Sequence, residues 1–516
     1  MLLMRIIERL VNIKQWRVGL PQEATVALPP PVAAPQIIAN DRPGPRFDVA
    51  EANLPAFVQH CPTTMETYHW LRHINWSAFP ERRYDRDYPY EPISHATFAA
   101  ACLVKIEEDF KYMSKLRKHL VRHPALIWLL GFRLVADDTS YWGFDADASL
   151  PTARHFTNML RKVPNHCFQF LLDESVRLLQ ETLAGVVTDF GQVVSLDTKH
   201  ILAWVQENNP KAYVEARYNK ASQPKGDADC KLGCKRRHNQ RVDADNTASQ
   251  SDSASTPTKE AQPARHIDVG EYYWGYASGV VATKVPNWGE FVLAEWTQTL
   301  DRPDVSYFFP LLEQTEARLG FRPAYGAFDA AFDAYYVYEH FHQPDTDWRQ
   351  GFAAVPMTHR NKVNRVFDDD GVPLCEANLS MTLQYTFTCR TTLYEHERAH
   401  YVCPLKPACD TCPIQHKKAS NGGCTLRLPT SPGARLRHQI DRESTCYKGI
   451  YKQRSATERI NAQAMELGIE RPKLRNRQAI TNLNTGIYVV INLRGWQRVR
   501  ERLAQQVTQT AAHSQI

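Results

Sequence analysis

The residues whose types and spacing could do chemistry begin with the run Tyr451-Lys452-Gln453-Arg454-Ser455-Ala456-Thr457-Glu458-Arg459-Ile460-Asn461. Ile450, Ile460, Ala464 and Leu467 recur near helical spacing and Gly468 makes a stop, so the run reads as a helix. On it Arg454 and Glu458 are four residues apart and Asn461 three further on, which puts all three on one face. An arbitrary Arg/Glu pair is a solvated ion pair and nothing more; this pattern is longer than a pair. Far upstream, the apolar strand pattern of Gly191 to His200 contains Asp197, a carboxylate that is expensive to bury beside Val194 and Leu196 without a cation or another partner. Two more acids, Asp329 and Asp333, close the segment that begins at Arg322. A different chemistry is offered by cysteines: Cys409 and Cys412 stand at the x2 spacing that lets two sulfurs face one ion, and Cys403 and Cys424 can complete a tetrahedron from either side.

The pattern Tyr-x2-Arg-x3-Glu, within the wider run Arg-Ser-Ala-x-Glu-Arg-x-Asn, resembles the signature of DDE transposases encoded by bacterial insertion sequences. In that family the Glu is the third metal-binding acid, which Glu458 matches. The resemblance implies Asp197 as the first acid. It implies Asp329 as the second, because Phe328-Asp-x-x-Phe-Asp333 is similar to the family's Ala-Asp-x-x-Tyr-Asp; Asp333 is left to support the ligand or to start a helix. A ribonuclease-H-like mixed sheet flanked by helices is then expected, with Mg²⁺ or Mn²⁺ held by the three acids. Lys452 and Arg454 are expected on DNA phosphate, Tyr451 against the end bases, and a homodimer on transposon ends and target. Two departures stand out: Met465 occupies the place where the family often has Lys, and Phe332 replaces a Tyr. The match covers roughly Asp189 to Leu503, with a weaker echo over the helices before it.

These residues need elements to position them. Residues 1–46, with Pro29-Pro30-Pro31, cannot build a core and read as a disordered or linker arm. Residues 47–185 turn helical: Phe98 to Met113 and Leu120 to Phe132 carry apolar residues at threes and fours, and Thr152 is a candidate helix cap. This helical domain is a candidate for binding DNA ends, with an architectural bundle as the plainer reading. Residues 186–360 read as the first part of an α/β core, with strands near Gly191–His200, Tyr272–Ala282, Phe291–Ala294 and Gly351–Pro356 and a helix near Val305–Leu319. Its 238–265 stretch, rich in Asn, Ser, Thr and Asp, reads as a disordered insertion. Residues 361–440 form a cysteine-containing insertion, and 441–516 complete the core with the Glu458 helix and a further helical pattern from Ala479 to Leu503.

At 516 residues and 43% hydrophobic the chain can bury a large core. Its net charge of +6 is unevenly spread: from Ser431 onward 15 Lys/Arg face 6 Asp/Glu, a balance of +9, against 47 and 50, or −3, before it. A basic part carrying the key helix suits a polyanion such as DNA. The sequence contains no apolar run long enough to span a bilayer, no signal-peptide pattern and no Gly-rich phosphate loop, so a cytoplasmic protein that does not burn nucleotide is expected. Twelve cysteines in such a compartment read as thiols with some metal ligands, hence a candidate structural Zn²⁺ at Cys403, Cys409, Cys412 and Cys424. Two rival readings are a non-catalytic DNA-binding protein derived from a transposase and another ribonuclease-H-like nuclease.

Overall fold

The computed structural model describes residues 44–82, 93–235, 271–343, 347–358, 365–390, 393–406, 412–414 and 424–513. The arm (except 44–46), the 238–265 stretch and Cys409 lie outside them.

The chain forms a mixed α/β fold around a curled mixed sheet. Strand β1 (Val193–Leu202) runs antiparallel to β3 (Glu271–Val285), and β3 pairs with both β2 (Lys231–Lys235) and β4 (Gly289–Thr299). On its other edge β1 pairs in parallel with the short β5 (Tyr325–Ala327), which pairs in parallel with β6 (Phe352–Ala354). The middle of β3, from Trp274 to Ala282, is buried without a break, as a central strand covered on both faces must be. Trp274, Tyr276 and Val280–Ala282 supply that core, while Gly279 leaves room for the Tyr307 ring, which a Cβ would meet at 2.4 Å.

The helical part consists chiefly of α1 (Pro62–Leu71), α2 (His95–Glu107), α3 (Met113–Arg122), α4 (Pro124–Leu129), α5 (Ala153–Lys162) and α6 (Asn165–Leu183). Thr152 does cap α5, its hydroxyl accepting from the His155 amide at 3.2 Å. The expected Phe98–Met113 helix stops earlier, because Asp109 adopts a left-handed φ of 49°. The expected Leu120–Phe132 helix is split: Pro124 has no N–H to continue α3 and instead opens α4.

After β4 come α7 (Phe308–Leu319) and, past β5, α8 (Tyr335–Phe341). The cysteine-containing segment builds its own antiparallel sheet of β7 (Thr382–Cys389), β8 (His396–Val402) and β9 (Thr425–Pro429). Beyond it lie α9 (Pro432–Gln439), α10 (Thr445–Tyr451), α11 (Ser455–Glu466) and the long α12 (Arg477–His513).

Helix α12 joins the helical part to the sheet through buried amides. Asn482 donates to the carbonyls of Leu160 and Val163, Asn484 to the Thr297 hydroxyl, and Asn492 to the Val292 carbonyl and Ser175. All three side chains are fully buried, so each unpaired amide would cost roughly 1–3 kcal/mol. Buried apolar residues of the helices, the sheet and α12 accordingly belong to one continuous core.

Candidate active site

Asp197 and Asp329 are brought side by side by strand pairing. In the parallel β1/β5 ladder Ser195 faces Ala327, and each aspartate lies two residues beyond that pair. Neighbouring strands are about 4.8 Å apart, so the two acids emerge close together at the ends of adjacent strands. Asp329 also accepts the Ala331 amide at 2.8 Å, capping the tight turn Ala330–Phe332.

Helix α11, which carries Glu458 in its first turn, packs on β1, β3 and β4. It is not one continuous helix with the preceding residues, as the periodicity implies. Helix α10 ends at Tyr451, a 3-10 turn covers Lys452–Arg454, and α11 then starts at Ser455 and ends before Gly468, whose φ is +85°. The common face survives the break. Arg454 donates to Glu458 at 2.6 Å, and Asn461 donates to Asp197 at 3.3 Å. Asn461 is buried, and its carbonyl oxygen finds no partner among the described residues.

One guanidinium therefore sits among three acids far apart in sequence. Arg454 is ion-paired with Glu458, and its charge also acts on Asp197 and on Asp329. Burial pushes the Asp197 carboxyl up to about 6; Thr198's amide opposes this, Asp329 and Asp304 add to it, and Arg454 offsets part. Asp329 is raised for the same first reason, with Asp304 adding to it and Ala331's amide and Arg454 opposing. Burial works against the Arg454 charge, but Glu458, then Tyr451 and Asp197, outweigh it and raise its pKa. The Tyr451 ring lies 6.0 Å from the Arg454 guanidinium and stacks on Tyr447, and Lys452 is exposed beside them.

Asp304 is the acid that motif reading misses. It opens the turn before α7 and accepts the Thr198 hydroxyl at 2.7 Å, one residue from Asp197. No local pattern marks it; only the fold brings Asp304 to β1. Asp333, by contrast, is withdrawn from the site. Its fully buried carboxylate takes two contacts from Arg437, at 2.6 and 2.5 Å, plus the Tyr338 hydroxyl and the Thr358 amide. It starts no helix: Ala334 is the residue before α8.

The donors around Arg454 are hard oxygens of the kind a divalent cation takes, and the orphaned Asn461 oxygen adds a fourth such atom. As they stand, no three His, Cys, Asp or Glu among the described residues are grouped to hold an ion; Arg454 supplies the positive charge instead. In the insertion, the Cys403 amide donates to the Cys424 carbonyl at 2.8 Å, where β8 ends and β9 begins. Burial first, then Cys403, Cys375 and Cys412, raise the Cys424 thiol, so Cys375 joins the neighbourhood that spacing alone assigned to Cys409.

Compared with models of known protein families and with curated proteins, the chain matches none. Among the described residues no helix is long and apolar enough to cross a membrane.

Proposed function

We propose that this chain is a DDE transposase, cutting DNA at the ends of an insertion sequence and joining the freed ends to target DNA. The observation that carries the reading is the placing of Asp197 and Asp329, 132 residues apart, beyond the paired ends of adjacent strands, with the Arg454 guanidinium acting on both while it is ion-paired with Glu458. Sheet order supports a ribonuclease-H-like core: β4, β3 and β1 antiparallel, then β5 and β6 parallel to β1, with a helix carrying the last acid packed on them.

Asp197, Asp329 and Glu458 would hold Mg²⁺ or Mn²⁺, which when bound supplies Lewis-acid stabilisation of the attacking and leaving oxygens. The chain's own residues do the positioning. Asn461 holds the Asp197 carboxylate, and the Ala331 amide holds Asp329. Arg454 balances the acids' mutual repulsion, and with exposed Lys452 it faces the phosphate backbone, while Tyr451 offers a ring edge to the terminal bases. Hydrolysis breaks one P–O bond and leaves a 3′-hydroxyl; that hydroxyl then attacks a target phosphodiester, exchanging one P–O bond for another. The second step conserves bonds and needs no nucleotide, in keeping with the missing phosphate loop. A homodimer on paired DNA ends and a cytoplasmic, nucleoid-bound location belong to the same proposal. So does a structural Zn²⁺ in the insertion, held by thiols and remote from the reaction.

A cleavage assay on supercoiled DNA carrying the gene's flanking sequences, with Mg²⁺, tests the reading. Asp197→Asn and Glu458→Gln should each abolish nicking while duplex binding persists. A protein that binds these ends yet never cuts them is the non-catalytic alternative; cutting that survives both substitutions would refute the site.

A further inference from the structure

We propose that the cleft between α2 and the loop Arg471–Arg475, together with the Trp204 ring, seats the phosphodiester backbone of double-stranded DNA at a distance from the acids. The choice of DNA rests on the function proposed above; the surface itself rests on three separate observations.

The first is a largely buried lysine on a basic cleft. Lys105, near the end of α2, is only 7% exposed; burial works against its charge, and Cys102 and Asp109 offset part of that. It lines an open cleft of about 640 Å³, whose other charged residues are Lys111, Arg471 and Lys473 against Asp109, Glu466 and Glu470. Glu470 is already engaged by Lys199 at 3.7 Å, so the balance facing the cleft is positive. A desolvated ammonium is costly unless an anion or other acceptor stands opposite it.

The second is a platform beside the cleft. Trp204 follows β1 and is 43% exposed, with the Arg475 guanidinium 5.0 Å and the Lys473 ammonium 5.7 Å from its ring centre. Lys473 thus belongs to both the cleft and the platform. A small anion would fill one of the two; an extended polyanion spans both.

The third is that the loop is built rather than loose. Leu202 donates its amide to the Glu470 carbonyl at 2.9 Å, and Arg475 donates to the Trp204 carbonyl at 3.1 Å. At the loop's far end the amides of Asn476 and Arg477 donate to Asp227 and Asp229 at 3.2 and 2.9 Å. Arg471, Lys473 and Arg475 stay exposed on this frame while Pro472 and Leu474 turn inward. Trp204 is seven residues beyond Asp197, roughly 20 Å at strand rise. That span corresponds to about six phosphates along one DNA strand, within the length of a single short duplex.

The test is the salt dependence of full-length protein binding to a fluorescent duplex, read as log K against log salt. Each phosphate contact contributes about 0.9 to the slope, so Lys473→Ala/Arg475→Ala should flatten it by about 1.8 and weaken binding at least tenfold at physiological salt. Adding Lys105→Met should remove about 0.9 more. The exposed control Arg498→Ala/Arg502→Ala, more than about 30 Å further along α12, should leave the slope unchanged. The surface double variant carries the test even if Lys105→Met fails to fold. If it keeps the wild-type slope, or the control flattens it equally, this inference is overturned and the transposase reading stands. If the wild-type protein binds no duplex at any salt, both fall.

Discussion

Replacing Asp333 by Asn separates the fold's acid from the site's acids. The wild-type carboxylate is fully buried, and Arg437, with only 10% of its side chain exposed, holds it through two hydrogen bonds at 2.6 and 2.5 Å. Asn keeps one acceptor and loses the charge, leaving a guanidinium buried without its counter-ion. Removing one partner of a buried pair costs about 3–5 kcal/mol, and the remaining acceptor places this case near the lower end. At roughly 2–4 °C per kcal/mol for a large domain, the melting temperature should fall by about 10 °C. Burial opposes the Asp333 charge, but the Arg437 hydrogen bonds, the Thr358 amide and the Tyr338 hydroxyl outweigh it and lower its pKa. A lowered carboxylate stabilises above its unfolded pKa and loses that contribution as pH falls through the folded value. The gap between wild type and variant should therefore be full above about pH 5 and close in stronger acid. Thermal melts across pH give the stability, and nicking assayed well below both melting points gives the chemistry. Cleavage should stay within a few-fold of wild type. Complete loss of cleavage, equal to that of Asp329→Asn, with an unchanged melting temperature, would refute the reasoning and make Asp333 a ligand.

Asp197 should behave in the opposite sense. Its pKa is raised to about 6, so in the absence of metal its charge destabilises the fold as pH rises toward and past that value. Asp197→Asn should melt higher than wild type near pH 8 and equally near pH 4; an equal or lower melting temperature at pH 8 would contradict it. Thr198→Val removes the hydroxyl that Asp304 accepts, and Asp304→Asn removes its charge. Both should lower the cleavage rate at least tenfold with duplex affinity retained, and full activity in either would show Asp304 to be incidental. Zinc content, read by atomic spectroscopy, should be about one per chain and should fall in Cys403→Ser and Cys424→Ser. The same loss in Cys375→Ser would place that thiol among the ligands, whereas loss only in Cys409→Ser would restore the set expected from spacing.

Much of the local architecture is written in local pattern. The apolar run before Asp197, the β3 and β4 runs, the Thr152 cap and the Gly468 stop each depend on neighbours within a few residues, and each appears where the pattern places it. Local reading failed where one residue overrode a period. Asp109 with its positive φ and Pro124 with its missing N–H each cut a helix whose apolar spacing continued past them. The β7 run Thr382–Cys389 carries a strand signal of its own, alternating polar and apolar residues with Leu383, Tyr385, Phe387 and Cys389 at every second place. Other features were beyond any local reading. Asp304 reaches Thr198 across 106 residues, Arg437 reaches Asp333 across 104, and Asn461 reaches Asp197 across 264. Motif spacing named three acids, but which carboxylate is buried against an arginine and which faces its fellows is set by strand pairing and helix packing. The chain alone determined its elements and the types of donor it carries; only the tertiary structure decided which charges share a low-dielectric space, because that depends on distances the covalent chain does not constrain.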